Sequence, residues 1–266
     1  MWRKIKSLFI LKKIFCNLDY KRKLIIIAYN NKLQGKLGLN LVDYKRYCGR
    51  YRKEKNGETY EYDSYYNRLL FKGIYSNGKR NGHGKEYNED GNLIFEGEYL
   101  DGKKWKGIAK DYDEDTGKLI FEYELLNGKI DGEAKEYDRY NEDLLFSGKY
   151  LNGKRNGPGT EYKYIPCENS NYYSSSFSSK VTSKRIIIFS GEYIHGERKE
   201  GKEYNIKEKL IYEGEYLNGK RHGIGKIYDN YDKIKYEGEF LEGKKHGKGI
   251  EYNTHNDTKY VDTVLH

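Results

Sequence analysis

The sequence predicts a mostly β protein, a single elongated antiparallel β-meander of tandem hairpins with a short α-helical cap at its N-terminus. Two features lead to this prediction. An aromatic-x-Gly-x-aromatic triplet recurs along the chain, and Asn-Gly or a related dipeptide follows most triplets at the same distance. Self-similarity with a period of about 20–50 residues is typical of repeat arrays, in which each repeat packs only on its neighbours.

The composition fits a thin repeat array better than a disordered chain. Only 36% of the 266 residues are hydrophobic and 34% are charged, which alone would favour disorder. Disordered chains are poor in aromatic residues, however, whereas this one is 15% aromatic and contains 30 Tyr and 30 Gly. Many rings beside many glycines indicate a regular β structure that buries its rings one row at a time.

Eight repeats occupy residues 47–252. Their triplets begin at Tyr47, Phe71, Phe95, Phe121, Phe146, Phe189, Tyr212 and Tyr236, with spacings of 24, 24, 26, 25, 43, 23 and 24 residues. The spacing of 43 predicts a loop insertion at about 163–188, rich in serine and without the repeat pattern. Residues 1–46 precede the array as a separate segment, and residues 253–266 follow it as a C-terminal tail.

Each repeat reads as a β-hairpin. Asn-Gly, Asp-Gly, His-Gly or Glu-Gly stands at 77–78, 101–102, 127–128, 152–153, 195–196, 218–219 and 242–243. Such dipeptides favour two-residue type I′ turns, in which both residues take positive φ. Counting outward from the turn at 218–219 places Gly214 opposite Gly223, and Tyr212 opposite Gly225.

One face of each hairpin is expected to carry the rings and the glycines. The glycines leave an empty floor on which rings of the adjoining repeat can lie. We interpret this face as an aromatic and glycine-lined groove that binds a partner. Its candidate contact residues are Phe71, Tyr75, Phe95, Tyr99, Phe146, Tyr150, Phe189, Tyr193, Tyr212, Tyr216, Tyr236 and Phe240.

The other face is expected to be a solvated ladder of opposite charges. In the repeat at 212–228 it carries Glu213, Glu215 and Leu217, and the same counting pairs Glu237 with Lys248. Paired glutamates recur in equivalent exposed positions, so their environments do not differ as those of a catalytic pair must. We therefore interpret these glutamates as ladder members and predict no enzyme activity, cofactor, metal site or small-molecule substrate.

The string YEGEYLNGKRHGIG at 212–225 resembles the MORN (membrane occupation and recognition nexus) repeat. The resemblance covers about 47–252, most of the chain. It implies an elongated antiparallel sheet, which agrees with the hairpin argument. We therefore expect a non-catalytic scaffold or adaptor that binds a protein segment or another copy of the chain.

The N-terminal segment carries the net positive charge. Residues 1–46 have a net charge of +10, whereas residues 47–266 have a net charge of −1, which argues against nucleic-acid binding by the array. Patterns at 7–18 and 21–37 predict two helices, with Ile26, Tyr29, Leu33 and Leu37 on one stripe of the second.

Three interpretations of this segment remain open. The helices would cap the first sheet edge, or, since 10–25 resembles part of an F-box, make the protein a ubiquitin-ligase adaptor. Alternatively, residues 1–23 would tether the protein to an anionic membrane, because their net charge is +7. Candidate partner contacts here are Trp2, Ile14 and Phe15. Three scattered cysteines and the lack of a long apolar run lead us to expect a cytoplasmic protein.

Overall fold

Strands and their connecting turns make up almost all of the described chain. The computed structural model describes residue 35 and residues 49–64, 66–166, 183–253 and 258–264. Within these ranges lie the strands β1 (Arg50–Lys55), β2 (Glu58–Asp63), β3 (Leu69–Ser76), β4 (Lys79–Tyr87), β5 (Leu93–Leu100), β6 (Lys103–Tyr112), β7 (Leu119–Leu126), β8 (Lys129–Tyr137), β9 (Leu144–Leu151), β10 (Lys154–Pro166), β11 (Ser183–Ile194), β12 (Glu197–Tyr204), β13 (Leu210–Leu217), β14 (Lys220–Tyr228), β15 (Ile234–Leu241), β16 (Lys244–Asn253) and β17 (Thr258–Val264).

The chain divides into two structural units, Met1–Lys104 and Trp105–His266. In the first unit, each strand from β1 to β5 pairs antiparallel with the next. In the second unit, the strands from β6 to β17 pair in the same way. The predicted antiparallel meander is therefore confirmed within each unit.

The predicted N-terminal helices at 7–18 and 21–37 lie, apart from Gly35, outside the described residues. The same holds for the candidate contacts Trp2, Ile14 and Phe15. The C-terminal segment, expected to be a tail, contributes β17, which pairs antiparallel with β16.

The two-residue turns lie where the sequence placed them. All seven dipeptides separate consecutive strands, and both residues of each have positive φ, as at Asn218 (50°) and Gly219 (73°). An eighth turn of this type, Asn56-Gly57, joins β1 to β2 and was missed because its repeat lacks the usual Lys-Arg-His-Gly segment. Non-glycine residues tolerate the left-handed region at a modest cost, which the surrounding pairing offsets.

The predicted register is correct near the turn and wrong beyond it. Glu215 lies opposite His222 as counted, but Gly214 pairs with Gly225 rather than Gly223, and Tyr212 pairs with Ile227. A β-bulge on β14 places two extra residues between His222, opposite Glu215, and Gly225, opposite Gly214. The bulge begins at Gly223, whose φ of 60° suits glycine. An equivalent bulge on β16 at Gly247, whose φ is 62°, places Glu237 opposite Ile250 rather than Lys248.

The glycine floor is confirmed, but its cover comes from a different ring than expected. A Cβ added to Gly214 would lie 2.6 Å from the Tyr212 hydroxyl, and one added to Gly225 would lie 2.6 Å from Tyr212 Cε2. The first ring of a hairpin thus lies on the glycine pair of its own hairpin. Gly223, expected on the same floor, faces Glu215 on the opposite side.

One hairpin lacks the floor. Tyr123 occupies the position of the first glycine in β7 and lies opposite Ala134, which is 2% exposed. The Tyr123 ring packs on Phe121 with centroids 4.6 Å apart. Phe121 is therefore only half-buried, whereas the first rings of the other repeats from Phe71 to Tyr236 are fully buried.

The loop insertion is shorter than the predicted 163–188. Strand β10 continues to Pro166 and pairs with β11 from Ser183 onward, so the two strands extend beyond the repeat length as a ribbon. Ile186, expected within the loop, is 1% exposed, and the Leu144 amide donates a 3.2 Å hydrogen bond to the Tyr164 hydroxyl. Both ends of the predicted loop therefore belong to the sheet, while 167–182 lie outside the described residues.

Candidate functional site

The predicted groove rings pack against one another in a continuous row within each unit. Each hairpin supplies a first ring and, four residues later, a second ring. In the second unit, Phe189 meets Tyr193 of its own hairpin at 5.7 Å and Tyr216 of the next hairpin at 5.4 Å, both edge to face. In the first unit, Phe71 meets Tyr99 in the same way at 5.2 Å. Edge-to-face contacts of this kind are favourable beyond the area that they bury.

These rings form the core of the protein. Eleven of the twelve candidate contact residues are buried, and Tyr75 is half-buried. A ring such as Phe146 or Tyr212, with 0% exposed surface, offers nothing for a partner to touch. The interpretation of this row as an open groove therefore does not fit its burial, because rings of neighbouring hairpins fill the space that a partner was expected to occupy.

A basic side chain covers the first ring in most hairpins. In the second unit, the guanidinium carbon lies 3.9 Å from the ring centroid for Arg155 over Phe146, and 4.2 Å for Arg198 over Phe189. Arg221 over Tyr212 and Lys245 over Tyr236 follow, both at 4.5 Å. In the first unit, Arg80 lies 4.3 Å from Phe71. Cations above aromatic faces are attracted by the ring quadrupole, more strongly when partly desolvated.

A glutamate of the preceding hairpin binds both this cation and the second ring's hydroxyl. Glu161 accepts hydrogen bonds from Arg198 Nε at 3.0 Å and Nη2 at 2.5 Å. It also accepts one of 2.6 Å from the Tyr193 hydroxyl. The same arrangement recurs in Glu136 with Arg155 and Tyr150, in Glu203 with Arg221 and Tyr216, and in Glu61 with Arg80 and Tyr75. We call each set a Glu-Arg-Tyr cluster.

Hydrogen bonds and charges within the clusters lower the pKa of Glu61, Glu136 and Glu161. Burial alone would raise the pKa of Glu161, but hydrogen bonds from Arg198 and Tyr193 and the charges of Arg198 and Arg155 lower it below its usual value. The pKa of Glu61 is lowered in the same way by Tyr75, Arg80 and Arg50. A proton donor or base for catalysis needs a pKa near the working pH, whereas these shifts move the glutamates away from it.

One hairpin replaces the cluster with apolar residues. In the hairpin that begins at Tyr236, Phe240 stands where most other hairpins have tyrosine, and Ile227 stands where the preceding hairpin would supply the glutamate. The hairpin that begins at Phe121 departs differently, because Leu125 replaces the tyrosine and Asp111 takes the place of the glutamate. Lys245, above the Tyr236 ring, pairs instead with Glu251 of its own hairpin. In the Tyr236 hairpin the hydroxyl and the carboxylate are thus absent together, whereas the Asp111 carboxylate accepts a hydrogen bond from the Tyr123 hydroxyl instead. Both cases indicate that the hydroxyl and the carboxylate satisfy each other.

The opposite face carries the predicted charge ladder, with different partners. Lys226 pairs with Glu237 of the next hairpin at 3.0 Å, and Lys202 pairs with Glu213 at 3.5 Å. Glu237 therefore pairs with Lys226 of the preceding hairpin, and not with Lys248 as the predicted register implied. Such pairs between half-exposed side chains contribute little individually.

The opposite face also carries a row of exposed apolar side chains, none of which was among the predicted site residues. In the second unit, the last residue before each two-residue turn is apolar: Leu126, Leu151, Ile194, Leu217 and Leu241, each 43–51% exposed. We call these five residues the turn-side band. Leucine at these positions was visible in the sequence, but its exposure depends on which face each strand buries.

A cavity of about 480 Å³ opens among the loops of the first unit, lined by Arg50, Arg68, Arg80 and acidic residues. Its arginines are engaged within the protein. Arg50 pairs with Glu61 at 3.0 Å, Arg80 pairs with Glu86 at 2.6 Å, and Arg68 stacks on Tyr66. Arg50 and Arg80 are therefore neutralised by carboxylates of the protein, and Arg68 also donates a hydrogen bond to the Glu89 carbonyl oxygen.

Among the described residues, no three His, Cys, Asp or Glu side chains gather in a way that could hold a metal ion. The part of the chain that the structure describes also contains no helix long and apolar enough to cross a membrane.

Four segments of the chain match the family model of the MORN repeat, at residues 71–93, 146–164, 212–233 and 236–254. The chain therefore contains MORN repeats, as the resemblance predicted. The hairpins that begin at Phe95, Phe121 and Phe189 lie outside these segments, and each departs from the pattern by an inserted, replaced or lost residue. The F-box-like interpretation of the N-terminus gains no support from this comparison. A search of curated proteins finds no match to the chain.

Proposed function

We propose that this protein is a non-catalytic repeat scaffold that binds a protein partner along its hairpins. The presence of MORN repeats supports a role in scaffolding or binding. The observation that carries the proposal is the sorting of side chains within each hairpin. On one side, the rings, arginines and glutamates pack and form hydrogen bonds with one another. On the other side, each hairpin of the second unit presents an exposed apolar residue just before its turn.

This sorting argues against a chemical role for the repeated polar residues. Both oxygens of the Glu161 carboxylate accept hydrogen bonds, Oε1 from the Tyr193 hydroxyl at 2.6 Å and Oε2 from Arg198 Nη2 at 2.5 Å. A half-buried carboxylate whose two oxygens both accept hydrogen bonds within the protein stabilises the fold and offers little acceptor capacity to a substrate. Rows of identical outward side chains, by contrast, suit a linear partner that makes the same contact several times.

The test is isolation of a partner with the full-length chain as bait, followed by reconstitution from the two purified proteins. We expect a one-to-one or repeating complex with a measurable Kd by calorimetry. As a control, the bait is used after thermal unfolding, because a scaffold binds through its folded face. Equal recovery of the partner with unfolded bait, or no binding between purified components, would count against the proposal.

A second candidate role is a peripheral membrane tether, favoured by the net charge of +7 in residues 1–23. Basic residues near an anionic surface contribute about 1 kcal/mol each. The full-length chain should then float with vesicles that contain phosphatidylserine but not with neutral ones. A full-length variant with the eight basic residues of 1–23 changed to Gln is the matched control, and unchanged flotation of that variant would exclude this segment as the tether.

A further inference from the structure

A backbone hydrogen bond ties most of the two-residue turns to the hairpin before them. The amide of the turn glycine donates to a carbonyl oxygen of that hairpin at 2.8–3.1 Å in five turns: Gly102 to Arg80, Gly128 to Trp105, Gly153 to Ile130, Gly196 to Arg155 and Gly243 to Arg221. Among the described residues, the amides of Gly78 and Gly219 form no such bond. The hairpin before Gly219 has lost a residue, and the one before Gly78 lacks the usual Lys-Arg-His-Gly segment. These two turns therefore lack a restraint that the other five have.

Four of the turns are Asn-Gly turns with closely similar sequences. Leu-Asn-Gly-Lys occupies 126–129, 151–154 and 217–220, and Ser-Asn-Gly-Lys occupies 76–79. In all four the asparagine and the glycine are exposed, and the φ of the asparagine is 50–54°. The turns thus share their chemistry, exposure and conformation, and they differ in the hydrogen bond of the glycine amide.

Three other Asn-Gly pairs do not offer this comparison. The pairs at 81–82 and 156–157 lie within strands, where Gly82 is opposite Tyr99 and Gly157 is opposite Tyr193. The turn at 56–57 has no preceding hairpin within the described residues.

An asparagine followed by glycine can lose its side-chain amide without an enzyme. The glycine nitrogen gives up its proton and attacks the asparagine Cγ. The bond between Cγ and the side-chain nitrogen breaks, ammonia leaves, and a five-membered succinimide ring remains. Water then adds to either carbonyl carbon of the ring and opens it, which gives aspartate or isoaspartate. Each event takes up one water and releases one ammonia.

A flip of the middle peptide of the turn brings the reacting atoms together. Ring closure requires the glycine nitrogen to eclipse Cβ about the Cα–C bond, which for an L-residue means a ψ of about −120° instead of the type I′ value of about +30°. Conversion to a type II′ turn gives this ψ and keeps the φ of the asparagine at about +60°, close to its present value. The flip turns the glycine N–H to the other side of the turn, so it breaks the bond of Gly128 or Gly153 to the preceding hairpin. Gly78 and Gly219 have no such bond to break.

We propose that Asn218, and in the same way Asn77, is a site of spontaneous deamidation in the folded protein. Asn127 and Asn152 are protected by the hydrogen bond of the glycine that follows each of them. This inference concerns the chain itself and does not depend on the proposed function.

The two products differ in their effect on the hairpin. Asp101 already occupies the first position of such a turn with a φ of 52°, so aspartate at 218 is compatible with the turn. Isoaspartate routes the main chain through Cβ and Cγ, which adds one atom to a two-residue turn. The change falls directly after Leu217 of the turn-side band. Ageing of the protein would thus alter the exposed side of this hairpin.

The test follows all four turns in one sample of the full-length protein. The protein is incubated at neutral pH, and circular dichroism confirms that it stays folded. Trypsin then places each turn in its own peptide by cutting after Lys79, Lys129, Lys154 and Lys220. Mass spectrometry measures the replacement of NH2 by OH in each peptide. Asn218 should react at least about tenfold faster than Asn127 and Asn152, because the protected turns must first open locally.

The unfolded chain is the control. Asn152 and Asn218 both lie in the sequence Tyr-Leu-Asn-Gly-Lys-Arg, so in urea the two should react at the same rate. Equal rates at these two residues in the folded protein, or a faster reaction at Asn152, would overturn the inference. So would the absence of reaction at Asn218 under conditions in which the unfolded chain reacts.

A second measurement tests the role of the hydrogen bond separately. Amide hydrogen exchange, followed by NMR, should be slower at Gly128 and Gly153 than at Gly78 and Gly219, because a bonded amide must open before it exchanges. Equal exchange would show that the bond does not distinguish the turns. Different exchange with equal deamidation would show that the bond does not control the reaction, and either result would overturn the inference.

Discussion

The hydroxyl of Tyr193 donates a 2.6 Å hydrogen bond to Glu161, although the two residues are 32 positions apart and belong to consecutive hairpins. Glu161 also accepts hydrogen bonds from Arg198, whose guanidinium group lies over the Phe189 ring. The cluster therefore joins one hairpin to the next through polar atoms, above a row of rings that joins them through apolar contact. Both layers are interfaces between repeats.

The first prediction concerns the stability of the fold at low pH. Glu161 has a lowered pKa in the folded protein, as do Glu61, Glu86 and Glu136. A carboxyl group whose folded pKa is lowered stabilises the protein above its unfolded pKa of about 4.3, and this stability is lost as the pH falls through the folded pKa. We expect the melting temperature, followed by circular dichroism, to hold from pH 7 to about 5 and to fall steeply below about 4.5. Glu161→Gln should melt lower at pH 7 but lose less between pH 5 and 3, and parallel curves would contradict the assignment.

The second prediction concerns the coupling of hydroxyl and carboxylate. Tyr216→Phe should cost about 1 kcal/mol, and Glu203→Ile should cost more because it leaves two donors without an acceptor. The double variant copies Phe240 and Ile227, so its cost should fall below the sum by about 0.5–3 kcal/mol in urea unfolding. Tyr150→Phe combined with Glu203→Ile is the control and should be additive, since Tyr150 donates to Glu136.

The third prediction concerns the glycine floor. Gly225→Val places a branched side chain against the Tyr212 ring and should cost about 1–3 kcal/mol by overpacking. The adjacent Ile224, which is 56% exposed, provides the control, and Ile224→Val should change stability by less than about 0.5 kcal/mol. Similar melting temperatures for the two variants would mean that the faces of β14 are reversed.

The fourth prediction concerns the stability of the fold at high pH. Burial raises the pKa of Tyr212 to about 12, above its unfolded value near 10. The neutral phenol therefore stabilises the fold fully below pH 10, and this contribution is lost as the pH rises towards 12. Tyr212→Phe should show a smaller fall in melting temperature between pH 9 and 11 than the wild type. An unchanged fall would place the sensitive group elsewhere.

The fifth prediction concerns the insertion. Replacing 167–182 by Asn-Gly keeps every residue of the β10–β11 ribbon, and we expect little change in melting temperature because loop length has a weak entropic cost. Removing the whole of 163–188 would also delete the buried Ile186 and the hydrogen bond at Tyr164, and should lower stability clearly. Equal effects of the two deletions would show that the ribbon does not contribute to the sheet.

The parts of the fold that depend on neighbouring residues were predictable from the sequence. The turn at 218–219 and the alternation of Tyr216 with its charged neighbours follow from dipeptide chemistry and the two-residue period of a strand. The bulge at Gly223 was not predictable, because a glycine in a strand fits a floor position and a positive φ equally well.

The candidate site was predicted less well than the fold. The rings were recognised, but their burial against Tyr or Phe of the next hairpin depends on contacts between repeats, which periodicity alone leaves open. A signal for the Glu-Arg-Tyr clusters was nevertheless present. Comparing the repeats position by position shows Phe240 and Ile227 changing together where most repeats keep Tyr and Glu, as in Tyr216 and Glu203, and it shows Leu125 and Asp111 departing from the same pattern.

The replacement of the cluster's tyrosine and glutamate by Phe240 and Ile227 limits how such a chain can gain further repeats. Copying the segment from Phe189 to Ile211 in tandem would set each new tyrosine against a glutamate, because Tyr193 would then meet Glu203 at the new junction. Moving the hairpin that begins at Tyr236 to the same place would set Phe240 against Glu203 and leave the carboxylate without its hydroxyl donor. Hairpins of the same shape are therefore not interchangeable. The second ring of each hairpin, tyrosine or phenylalanine, must match the glutamate or apolar residue that the preceding hairpin presents to it.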